Sequence, residues 1–69
     1  MSDIQITLAA ARVNAGMTQE DVAKALKVGK KTIGNWENGI VIPSFASTSA
    51  LAMLYGIPLE NIHLPIKST

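Results

Sequence analysis

The sequence predicts an all-α domain, and two observations carry that prediction. Apolar residues recur at helical spacing, and each such stretch is bracketed by residues that start and stop helices. Positions 1–69 read as one domain, near the lower size limit for a core that holds without staples. With no cysteine there is neither a disulfide framework nor a thiolate metal site, so a chain that is 48% hydrophobic must fold by packing alone.

The first helix is expected over Asp3 to Ala15. Ile4, Leu8, Ala11 and Ala15 fall at spacings of four, three and four, which makes one narrow stripe. Asp3 can accept the free amide hydrogens of the first turn, and Gly16 stands where a left-handed residue ends a helix. Thr18 opens the second helix, expected over Gln19 to Leu26. Asp21, three residues on, completes an acidic variant of the capping box, and Glu20 and Asp21 suit the positive end of the helix dipole. Val22, Ala23 and Leu26 supply its inner face.

Lys27, Val28 and Gly29 interrupt the pattern for three residues, with Val28 expected to point inward. A third helix follows from about Lys30 to Asn38 and is closed by Gly39. Helix, three-residue turn and helix is the connection a helix-turn-helix requires, here over about 18–38. Ile40 to Ser44 reads as extended or turn-like, because Pro43 biases Ile42 away from the helical region. Ser44 can cap a fourth helix, Phe45 to Tyr55, whose inner face is expected to be Phe45, Thr48, Ala52 and Tyr55. Gly56 ends it. Pro58 suits the first turn of a short fifth helix, Leu59 to about His63, and a tail spans 64–69.

The third helix carries the functional signal. At about 100° per residue, Ile33, Trp36 and Glu37 share one face. Lys31, Asn35 and Asn38 lie opposite, Thr32 and Gly34 on the flanks, and Lys30 in the first turn. The outward face offers ammonium groups, a hydroxyl and two amides but no acid, which suits a polyanion whose base edges present donors and acceptors. Gly34 costs about 1 kcal/mol in a helix interior relative to alanine, and a small residue there allows close approach to another surface. Glu37 projects inward, where a lone carboxylate is expensive. Arg12 is the first helix's only cation, at the edge of its apolar stripe, so an Arg12–Glu37 ion pair is expected to orient the first helix against the third.

The stretch MTQEDVAKALKVGKKTIGNWENGIVIPS resembles the helix-turn-helix of the lambda-repressor-like, Cro-like (Xre) family of phage and bacterial regulators. Leu8 to Gly16 and ALAMLYGIPLENI extend the resemblance over roughly Ile4 to Ile62. It implies a compact five-helix lambda-repressor-like fold and binding to a double-stranded DNA operator as a transcriptional regulator. It also implies roles residue by residue. Gln19 matches a phosphate-contacting position that often braces the recognition helix. Lys30, Lys31 and Asn35 match positions that reach base edges or flanking phosphates, and Thr32 and Gly34 match positions close to the backbone or a thymine methyl. Asn38 matches a backbone-contacting position, and Arg12 with Glu37 matches an internal ion pair. The sequence departs from the family at Lys27 (usually glycine), at Gly29 (a weaker cap than the usual Ser or Thr) and at Gly34 (usually a side chain). These departures weigh against direct base reading and toward phosphate and shape contacts.

Useful affinity from so small a module calls for two half-sites bound by a two-fold homodimer. Met53 and Leu54 pointing away from the fourth helix, with Ile62, Leu64 and Ile66 in the tail, are the candidate dimer surface. The alternative function is an antitoxin-like interaction module whose fourth helix and tail bind a partner protein. An enzyme is excluded: His63 is the only histidine, without a nearby acid pair or nucleophile, and no phosphate loop or metal-ligand cluster exists. No cofactor, metal or small-molecule substrate is expected. No apolar run reaches the roughly 18 residues of a membrane span, and the N-terminus lacks a secretion signal, so a cytoplasmic location is expected.

Overall fold

The computed structural model describes residues 4–65. The expected Asp3 cap and Ile66 of the candidate dimer surface lie outside these described residues. The chain runs through a two-residue strand β1 (Ile6–Thr7), then α1 (Leu8–Asn14), α2 (Gln19–Leu26), α3 (Lys30–Glu37) and α4 (Phe45–Tyr55). A 3-10 turn (Leu59–Asn61) leads into a second two-residue strand, β2 (Ile62–His63). The strands pair in parallel, Ile6 opposite Ile62 and Thr7 opposite His63. Among the described residues the fold is thus predominantly helical, with four α-helices and a small strand pair, rather than the five-helix all-α domain expected from sequence.

Both differences trace to β-branched residues near the two ends. The first helix begins at Leu8, not Asp3: Thr7 is extended and its hydroxyl accepts the Ala10 amide at 3.1 Å. Ile4, Ile6 and Thr7 are stiff at χ1 and favour extended backbone. The spacing of Ile4 to Leu8 imitates a helical stripe, yet Ile4 is 68% exposed. At the other end, the fifth helix is only the 3-10 turn, because Ile62 pairs with Ile6 instead of continuing it.

The core takes Leu8 and Ala11 from α1, Val22 and Ala23 from α2, Ile33 and Trp36 from α3, Leu51, Ala52 and Tyr55 from α4, and Ile62. Phe45 is not part of it. It is 76% exposed, and Leu51 fills the stripe with Thr48, Ala52 and Tyr55 instead. A side chain at the first helical position points back beyond the helix end, past the edge of the core. Ile62 is likewise not on a free surface: it is buried, and Leu54 and Leu64 pack partly buried against the core. Of the described candidate dimer residues only Met53, 84% exposed, stands outside.

All four helices close in one way. A left-handed residue follows each, and the next amide reaches back to a carbonyl near the helix end: Met17 to Arg12, Val28 to Ala23, Ile40 to Asn35 and Ile57 to Ala52, at 2.9–3.1 Å. The left-handed position is glycine at 16, 39 and 56 but Lys27 (φ 60°) between α2 and α3. A side chain there clashes with its own carbonyl. Lys27→Gly is therefore expected to raise stability by up to about 1 kcal/mol, read as a higher midpoint in urea.

At the start of α2, Thr18 and Asp21 form a reciprocal capping box: Asp21 N–H donates to the Thr18 hydroxyl at 3.0 Å and Thr18 N–H to the Asp21 carboxylate at 2.9 Å. The Thr18 backbone and hydroxyl hydrogen bonds hold the Asp21 carboxyl below its ordinary range. A depressed carboxyl stabilises the fold above its unfolded pKa and loses that contribution as pH falls through the folded one. The melting temperatures of wild type and Asp21→Asn should therefore differ at neutral pH and converge only as the pH falls through the lowered folded-state titration of Asp21, below the ordinary aspartate range.

Candidate nucleic-acid interface

α2 and α3 make the broadest packing in the fold. Apolar Val22, Ala23 and Ile33 seal their inner faces, and the three-residue turn is pinned by Val28, which is partly buried against the core. Trp36 and Ile33, with Glu37 turned in beside them, fix the roll of α3 and leave Lys30 and Lys31 exposed.

Its N-terminal end is loosely capped. Gly29 occupies the N-cap with extended backbone and no side-chain hydrogen bond. Lys30 and Lys31 are exposed in the first turn, Thr32, Gly34 and Asn35 are half-buried, and Asn38 is exposed at the C-cap. These residues come together on and beside one helix face. Sequence reasoning passed over Lys24 and Lys27, both exposed. With Lys30 and Lys31 they gather four of the chain's six cationic residues within positions 24–31, a charge run that composition alone hides behind a net +1.

Beneath this face lies a polar network linking α1, α2 and α3. Arg12 Nε donates to Glu37 Oε2 at 2.7 Å, with Nη2 at 3.4 Å from Oε1. Arg12 Nη1 also donates to the Met17 carbonyl at 3.0 Å. Gln19, the first residue of α2, donates from Nε2 to Glu37 Oε1 at 2.9 Å. The Glu37 side chain is only 6% exposed and that of Arg12 16%, so the carboxylate is nearly enclosed by its donors. Hydrogen bonding to Glu37 raises the Arg12 guanidinium above its ordinary range. Burial, and then the nearby Glu37 charge, push the Tyr55 phenol up to about 12, so it stays neutral beside the pair. The consequence is geometric: the start of α2 and the end of α3 are tied to one carboxylate, and that carboxylate is tied to α1.

Among the described residues no group of His, Asp and Glu is placed to hold a metal ion. No described helix is long and apolar enough to cross a membrane.

Comparison with known proteins agrees with this geometry. Residues 8–62 match the family model described as Helix-turn-helix. The chain is 35% identical over 51 residues to the cryptic phage CTXphi transcriptional repressor RstR of Vibrio cholerae, an alignment covering 74% of this chain and 46% of that repressor. The chain therefore spans about half the length of this curated relative. No solved structure matches at comparable strength. With the matched region running from the first residue of α1 through Ile62, the chain belongs to the helix-turn-helix family and is similar over most of its length to part of a phage repressor.

Proposed function

We propose that the protein is a sequence-specific double-stranded DNA-binding repressor that places α3 in the major groove. The observation that carries this reading is the acid-free outward face of α3, with Lys30, Lys31, Asn35 and Asn38 held in place by the Arg12–Glu37–Gln19 network. Lys30 and Lys31 meet phosphates or base edges, Asn35 a base edge, and Gln19 and Asn38 the flanking backbone. Thr32 lies beside a methyl or the backbone, and Gly29 leaves the start of α3 unobstructed.

Binding as a two-fold dimer accounts for useful affinity from a module this small. The surface that best suits a second copy differs from the sequence-derived one. Ile40, Val41, Ile42, Phe45 and Met53 are all exposed. No charged or histidine residue stands between Glu37 and Glu60, so two copies would meet there without like-charge repulsion. Ile40 supports this assignment: at the matching position after the other helices, Met17, Val28 and Ile57 are pressed against the core, whereas Ile40 is 65% exposed.

Selection of bound duplexes from a random pool tests both parts. The expected outcome is a two-fold sequence with half-site centres about 10 base pairs apart. Recovery of no preferred sequence would sink the repressor reading, and a single unrepeated half-site would sink the dimer.

A further inference from the structure

The fold disfavours Lys27 on two counts. With φ at 60° it is the only non-glycine residue in the left-handed region among those described, at a position where the other three helices are followed by glycine. Its charge is also badly placed. Exposed Lys24, Lys30 and Lys31 flank it, and no acid stands between Asp21 and Glu37 to offset them. The carbonyl end of α2 attracts an ammonium, but the amide end of α3, just beyond, repels it. Among the described residues the Lys27 ammonium has no ion-pair partner. The chain's own packing thus gives no reason for a lysine at this position.

A polyanion does. Val28 packs against the core, which leaves Lys27 and Gly29 exposed on either side of it. Gly29 puts no side chain between Lys27 and the first turn of α3. The strained turn therefore carries an unpaired ammonium beside the end of α3 that holds Lys30 and Lys31. We infer that Lys27 binds a phosphate at the edge of the groove, a contact made by the α2–α3 turn and separate from those of Gln19 and Asn38. The inference rests on the DNA-binding reading above. Where the Xre-like pattern usually has glycine, this chain would gain a contact while lowering its own stability. A phosphate carries no base identity, so the contact acts alike on any duplex.

Lys27→Gly, Lys27→Asn and Lys27→Arg, with Lys31→Ala in parallel, test this by titration at several salt concentrations against a selected duplex and an unrelated duplex of equal length. Glycine and asparagine both accept the left-handed backbone, so the pair removes the charge with and without a more flexible turn. Both should bind both duplexes about fivefold more weakly near physiological salt, with the salt slope flattened by about one. Lys27→Arg keeps the charge and should keep the wild-type slope. Wild-type affinity and slope in Lys27→Gly and Lys27→Asn, with Lys31→Ala weakened, would overturn the contact and leave DNA binding standing. Weaker binding with an unchanged slope would overturn its ionic nature. A loss confined to the selected duplex would place Lys27 on a base edge and overturn the phosphate assignment. A wild-type protein that binds neither duplex would overturn both readings.

Discussion

Glu37→Ala is expected to lower stability by about 3 kcal/mol, the scale for removing one partner of a buried pair. In a domain of this size that corresponds to a fall in Tm of roughly 15 °C. The loss exceeds that of an ordinary surface ion pair because three donors converge on one carboxylate that is 6% exposed. Truncation leaves the Arg12 guanidinium, 16% exposed, with the Met17 carbonyl as its remaining partner, and frees the Gln19 amide. The double variant Arg12→Met with Glu37→Leu should recover most of the loss, since an apolar replacement of both partners removes the desolvation cost as well as the attraction. Thermal melts followed by circular dichroism would decide it. A fall of less than about 0.5 kcal/mol, the range of neutral surface changes, would show that the network adds nothing to the fold.

The second large effect concerns affinity. Lys31→Ala combined with Asn35→Ala should weaken binding to a selected duplex about a hundredfold while leaving Tm close to wild type. Lys31, as a phosphate or base-edge contact, contributes to affinity and to its salt dependence. A bidentate amide–base contact at Asn35 is worth about 1–3 kcal/mol of discrimination. The singles should separate these roles: Lys31→Ala flattens the salt slope by about one, and Asn35→Ala relaxes sequence preference at one position. Affinity unchanged in both singles would remove α3 from the DNA-binding surface.

The bounds of α2 were legible because its signals are local. The Thr18–Asp21 box and Leu26 at the last turn act within a few residues, and tertiary contacts do not override them. The inward turn of Glu37 was legible too, since an ionised group on an apolar face needs a partner and Arg12 stood at the edge of the first helix's stripe. What local pattern could not reveal was pairing between distant residues. Ile6 falls inside the expected first helix and Ile62 inside the expected fifth, and neither reveals in its own segment that the other is its strand partner. Phe45 misled for a related reason: periodicity assigns a face, but it does not say where along a helix the core ends. Gln19 as a third member of the Glu37 network needed the relative placement of α2 and α3, for which no spacing rule exists.

The pairing of Ile6 with Ile62 also has a kinetic meaning. Closing so long a loop is entropically costly, so these hydrogen bonds cannot seed folding and must follow assembly of the helices. In native-state hydrogen exchange, the strand amides are expected to open ahead of the α2–α3 unit, as a separate low-energy event. The strand pair would then release before the helical scaffold yields, leaving the two helices that face the outside the most slowly exchanging part of the molecule.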